Sequence, residues 1–130
     1  MVLPRFVHQA LRNEPLTVFG DGVQTRCFCS VSDVVNGIIA LSEHPEAFGR
    51  VFNLGSTEEV SMRDLAERVI AITESSSQLV FVPYDVAYEA GFEDMQRRVP
   101  SIARAHDLVG FVSSAGLDDI IKSVVSDQRH

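Results

Sequence analysis

Leu16-Thr17-Val18-Phe19-Gly20-Asp21-Gly22-Val23-Gln24-Thr25-Arg26 decides how this chain is read. Its first four residues are β-branched, aromatic or aliphatic, which suits a short strand. Gly20-Asp21-Gly22 is a turn signal, because glycine tolerates positive φ. A second β-rich run follows from Thr25 to Val31. Two strands across a glycine turn predict a hairpin with a five-residue connection. In an extended run Arg26 shares a face with Phe28, while Cys27 and Cys29 share the other. An arginine in such a run must be paired or ligand-facing, since burying it alone is costly.

Helices flank this stretch. Leu3, Phe6, Val7, Ala10 and Leu11 form an amphipathic stripe that ends before Pro15. Ser32 or Asp33 can cap a helix running to about Glu43, with the stripe Val34, Val35, Ile38, Ile39 and Leu41. Val51-Phe52-Asn53-Leu54 before Gly55 reads as a buried strand. Ser61 opens a helix, with Asp64 at its third position and a core face from Met62 to Ile72. Leu79–Val82 is another strand, and Ser101–Val109 and Leu117–Val125 are short helices. Asp118 and Asp119 sit in the first turn of the last one, where the helix dipole favours them. The alternation predicts an α/β fold with a mostly parallel sheet, about five helices and short strands. About four short strands are too few to cover the stripes of the second and third helices. Part of a larger fold is therefore expected.

The chain has 130 residues, enough for a single domain over 1–130. It is 45% hydrophobic and 22% charged, which excludes a disordered tail. No apolar run reaches transmembrane length, and no secretory leader is evident. Two cysteines are too few for a disulfide framework or a four-cysteine zinc site, so reduced thiols and a cytoplasmic location are expected. The bland reading of Cys27 and Cys29 is two buried strand residues. The net charge of −7 opposes binding to a nucleic-acid backbone. Lys122 is the only lysine among eleven cations. An anionic ligand would be held by a few placed arginines, whose planar forks suit phosphate oxygens.

Most catalytic motifs are missing. Gly20 and Gly22 begin a G-x-G, but Thr25 breaks G-x-G-x-x-G. Neither Tyr84 nor Tyr88 has a lysine four residues on, and His8, His44, His106 and His130 lack metal-ligand spacing. The acidic pairs Glu58-Glu59, Glu93-Asp94 and Asp118-Asp119 fit solvated faces and helix starts. Arg26 and the Arg97-Arg98 pair before Val99-Pro100 stand out. Each is open to two readings: an anion site, or salt bridges to carboxylates such as Asp94.

These residues also carry a family resemblance. Val2-Leu3-Pro4-Arg5-Phe6, Glu14-Pro15 through Gly22, Gln24-Thr25-Arg26 and Val31-Ser32-Asp33-Val34 are similar to the C-terminal half of extended short-chain dehydrogenases/reductases. Val51-Phe52-Asn53-Leu54-Gly55 and Phe92 through Pro100 extend the match to NAD-dependent nucleotide-sugar epimerases and dehydratases. Within that group the chain resembles UDP-glucose 4-epimerase and UDP-glucuronate decarboxylase. The resemblance implies a nucleotide-sugar site, with a UDP-sugar as ligand. Arg26 and Arg98 would hold the diphosphate, and the strand Thr17, Val18 and Phe19 would lie against the base, with Gln24 beside them. It also implies NAD in the parent family, but no cofactor, metal or catalytic residue in this chain, which lacks the Rossmann half's glycine loop and Tyr-x-x-x-Lys. Phe19 stands where the family has Tyr, Cys27 and Ser30 where Ser and Tyr are common, and Ser101 where Asp is usual. Ser113 stands near a usual Pro. Ser101 can still cap a helix. The helix from Asp33 and the strand Val51–Leu54 would face the missing Rossmann layer. Their orphaned apolar faces predict self-association, commonly as a homodimer. The alternative is a non-catalytic interaction module that pairs with itself or with a separate Rossmann chain.

Overall fold

The computed structural model describes residues 1–84 and 95–129. Tyr88, Glu93, Asp94 and His130 lie outside them. The described residues form five α-helices and four short strands. The helices are α1 (Val2–Leu11), α2 (Val31–Ser42), α3 (Met62–Thr73), α4 (Ala103–Val109) and α5 (Leu117–Gln128). The strands are β1 (Leu16–Phe19), β2 (Thr25–Cys27), β3 (Glu59–Ser61) and β4 (Leu79–Val82). The α/β class read from the alternation of stripes is what the chain adopts.

The hairpin does not form. β1 pairs in parallel with β4, in register from Leu16–Leu79 to Phe19–Val82, and β2 pairs with β3. The glycine turn explains the difference. Gly20 and Gly22 take φ of 69° and 76°. The carbonyls of Gly22 and Gln24 then accept from Arg63 and Met62 N–H. The chain after β1 is thereby committed to the start of α3 instead of folding back. β2 is also shorter than the run 25–31, because Ser30 leaves the strand to cap α2. Its hydroxyl accepts from Asp33 N–H at 3.1 Å. The cap is thus Ser30, and not Ser32 or Asp33.

The chain divides into two compact units. The first comprises Met1–Arg26, Val60–Arg98 and Ile121–His130. Its core joins the α1 stripe (Leu3, Phe6, Val7, Ala10) to Leu16 and Val18 of β1 and to Leu65, Ala66 and Val69 of α3. The stripe of α3, expected to be left uncovered, is buried because α1 packs on it. α1 ends at Leu11, before Asn13 turns left-handed at φ 54°. The Asn13 side-chain oxygen then accepts from Ser75 Oγ and from Ser76 N–H and Oγ, tying the ends of α1 and α3 together.

The second unit comprises Cys27–Glu59 and Val99–Ile120. α2 packs on α4, and at Gly37 of α2 an added Cβ would meet the ring of Phe111, two residues past the end of α4, at 2.9 Å. Val51–Leu54 forms no strand, since nothing among the described residues pairs with it. Val51 and most of the α2 stripe remain in water: Val35, Ile38 and Ile39 are all exposed. α4 starts at Ala103 with no side-chain cap, so Ser101 does not cap it. No described helix is long and apolar enough to cross a membrane.

Candidate functional site

β1 offers one edge to β4, through Leu16 N–H to Gln78 C=O and Gly20 N–H to Val82 C=O. Thr17 and Phe19 alternate with these residues, so their backbone groups face the other edge. Side chains occupy that edge. Gln9 Oε1 accepts from Thr17 N–H at 3.2 Å, and Arg5 Nη2 donates to Thr17 C=O at 3.0 Å. Gln24 Nε2 donates to Phe19 C=O at 3.1 Å. The Arg5 guanidinium also lies over the Phe19 ring, 4.4 Å from its centroid. Two residues not singled out by sequence reasoning, Arg5 and Gln9, thus fix the backbone expected to face a base. Their signal was present but ambiguous: polar groups on α1, one turn apart, read as a solvated face.

Gln24 is 4% exposed, and its Oε1 is buried with no hydrogen-bond partner among the described residues. Two residues on, Arg26 lies on β2. Thr25 N–H donates to Gln96 C=O at 2.7 Å, and Thr25 forms a parallel bridge with Arg97. Arg26 and Arg98 each directly follow a residue of this isolated bridge. The bridge thus brings together two backbone positions that, in sequence numbering, stand 72 residues apart (97 minus 25) and immediately precede the two arginines. Their side chains reach different groups here. Arg26 Nη1 donates to Thr25 C=O at 2.7 Å, whereas the exposed Arg98 lies 3.8 Å from Met95 Sδ. Val18 is fully buried in the core below this surface and supports β1 from inside.

Asp33, in the second unit, has a different role from the cap expected of it. Its carboxylate accepts from Ser114 Oγ at 2.6 Å, Ser114 N–H at 2.9 Å and Ala115 N–H at 3.0 Å. The Ser114 hydroxyl, followed by the Ala115 N–H, holds its carboxyl below the ordinary value of 3.8. Cys27 and Cys29 are in no disulfide among the described residues, and each is half-buried. Burial, and then the Asp33 carboxylate, push the Cys29 thiol above its ordinary value. No group of three or more metal-ligating side chains occurs among the described residues.

Residues 1–55 match the NAD dependent epimerase/dehydratase family. The match extends well beyond them: UDP-N-acetyl-alpha-D-glucosaminuronate decarboxylase of Bacillus cytotoxicus is 36% identical over 124 residues, 95% of this chain. The chain belongs to the NAD dependent epimerase/dehydratase family. UDP-glucuronic acid decarboxylase 1 of Arabidopsis thaliana is also 36% identical, over 129 residues. The chain spans 38% of the length of the first relative and 28% of the second. UDP-glucuronic acid 4-epimerase of Bacillus cereus, solved with UDP-glucuronic acid and NAD, superposes with a TM-score of 0.86 at 26% identity. That superposition covers all of this chain and 40% of the epimerase. An epimerase of Methanothermobacter thermautotrophicus superposes with a TM-score of 0.87, at 27% identity, over 97% of this chain and 36% of its own.

The family is named for NAD, but the glycine turn of this chain does not fit a dinucleotide. A pyrophosphate site of that kind needs a glycine loop opening a helix. Here the turn leads into β2, and the space at Gly22 is filled by Val18, Arg63 and Phe81 side-chain carbons at 3.0–3.3 Å.

Proposed function

We propose that this chain supplies the nucleotide-sugar-binding portion, the C-terminal half, of an NAD-dependent nucleotide-sugar epimerase or decarboxylase. A UDP-sugar is the ligand, residues 1–130 act as one substrate-binding domain, and the chain is not catalytic by itself. The observation that supports this reading is the Thr25–Arg97 bridge, whose two residues are immediately followed by Arg26 and Arg98. On a chain of net charge −7, a diphosphate is not attracted by the overall field. It needs local, permanently charged donors that can meet two oxygens each, and the guanidinium groups of Arg26 and Arg98 are of that kind. The β1 edge at Thr17 and Phe19 lies seven to nine residues before Arg26 and forms the base wall, with Gln24 holding wall and arginine strand together. The relatives named for UDP-sugar substrates support the ligand class. The absence of a Tyr-x-x-x-Lys pair supports leaving the redox chemistry outside this chain.

An NMR titration with UDP and with UMP tests this. Shifts at both arginines, stronger for UDP, are expected, with that preference lost in Arg26→Ala and in Arg98→Ala. Equal responses to UDP and UMP would remove the diphosphate assignment.

A second reading has its own observation. Val31, Val35, Ile38, Ile39, Phe48 and Val51 are all exposed in the second unit. Such a surface suits an interaction module that pairs with itself or with a separate Rossmann chain. Robust association of the chain with no response to UDP would favour it.

A further inference from the structure

We propose that the outer edge of β4 pairs with the β4 edge of a second copy of this chain, antiparallel about a twofold axis at Val80. The inference is independent of the nucleotide-sugar reading, because it concerns the opposite edge of the sheet from the base wall. That sheet has two strands, β1 and β4. Its β1 edge is closed by side chains: Gln9 accepts from Thr17 N–H, Arg5 donates to Thr17 C=O, and Gln24 donates to Phe19 C=O. The β4 edge is built differently. The carbonyls of Gln78 and Val82 turn to β1 and accept from Leu16 and Gly20 N–H. Leu79 and Phe81 alternate with them, so their N–H and C=O groups point away from β1. Among the described residues no hydrogen bond reaches those groups. The usual guards of a free edge are missing too. Leu79–Val82 holds no charge and no proline, and its register against β1 runs without a bulge. Val80 and Phe81 point to opposite faces. They are 43% and 42% exposed, so neither face shields the edge.

Charge selects the occupant. No charged residue stands between Ser75 and Tyr84, and Arg63, 5.8 Å from the Phe81 ring, is balanced by Glu67 at 3.4 Å. A strongly charged strand would find nothing to pair with here. A neutral, β-branched and aromatic strand fits, and β4 is one. A twofold axis also makes an open edge complementary to itself. The outward backbone groups fix the register. Leu79 exchanges both hydrogen bonds with Phe81 of the second copy, and Val80 faces Val80 of the second copy in the close, non-hydrogen-bonded position. From Ser76 to Tyr84 every pair in this register is neutral, so a chain of net charge −7 meets itself without like charges opposite each other. Pairing turns a marginal two-stranded sheet into one of four strands.

The test is sedimentation equilibrium of the chain carrying Ile38→Glu and Ile39→Glu, which removes the exposed face of α2 from the measurement. A monomer–dimer equilibrium is expected. Val80→Lys should weaken it about tenfold or more, since like charges then lie opposite, and so should Val80→Glu. An equimolar mixture of these two variants should regain dimers, because opposite charges then meet. In the chain with α2 unaltered, Val80→Cys should form an intermolecular disulfide with oxidised glutathione. The close antiparallel position sets Cα atoms about 4.5 Å apart, within disulfide reach. Val82→Cys, which faces Gln78 of the second copy, should not cross-link. A chain that stays monomeric, a dimer that Val80→Lys leaves unchanged, or a mixture no tighter than either variant alone overturns the proposal. If the α2 changes unfold the chain, the cross-link decides: none at position 80, or as much at position 82, overturns it.

Discussion

Asp33 shows how much one side chain can organise. It sits in the first turn of α2, yet its carboxylate gathers Ser114 and Ala115 from 81 and 82 residues away. Because its folded value lies below 3.8, the clasp contributes its stability fully above about pH 4 and loses it as pH falls through the lower folded value. Asp33→Asn should therefore lower the urea midpoint at neutral pH and flatten the acid limb of stability. Urea melts from pH 2 to 7 would check this, and an unchanged acid limb would rule out the clasp. Gly37 makes the opposite point about propensity. Alanine is intrinsically the better helix former by about 1 kcal/mol. Here its Cβ would meet Phe111 at 2.9 Å and Leu54 at 3.1 Å. Gly37→Ala should thus be net destabilising by about 1 kcal/mol, since overpacking costs about 1–3 kcal/mol. A gain in melting temperature would contradict the packing of α2 on Phe111. Neither contact was legible in the chain, because both depend on residues brought in from distant segments. Arg26 and Arg98 could be singled out as candidates, but the Thr25–Arg97 bridge immediately before them could not.

At the scale of elements, periodicity located the helices and two of the strands closely. Ser61 was legible as a cap, and its hydroxyl accepts from Asp64 N–H at 3.1 Å. Ser61→Ala should cost about 1 kcal/mol, measurable by denaturant unfolding. Leu65, fully buried where α1 meets α3, should cost about 2–5 kcal/mol as Leu65→Ala. Pairing was the less legible level. A glycine turn between two β runs encodes a hairpin only if nothing else claims the strands. β4 claims β1, and the carbonyls at Gly22 and Gln24 go to α3. Val51–Leu54 has strand composition without a strand partner, and a lone extended run has no ladder to stabilise it. Local sequence specifies helices through a stripe and a cap. Strands need a neighbour that the stripe does not name.

For the whole molecule, two surfaces carry the functional account. The exposed face of α2, with Val35, Ile38 and Ile39, is proposed as a site for a second copy or for the remainder of a larger fold. Light scattering of the chain should show concentration-dependent association, reduced in Ile38→Glu with Ile39→Glu; a clean monomer at high concentration would rule self-association out. The other surface is the arginine pair. The central claim is that Arg26 and Arg98 hold one diphosphate together. A double-mutant cycle on UDP affinity at low salt, with Arg26→Ala, Arg98→Ala and both, tests it most directly. If the two forks share a ligand, each single change weakens UDP binding, and the double change loses less than the two losses combined. Losses that simply add, or no loss from either change in a folded protein, would contradict it.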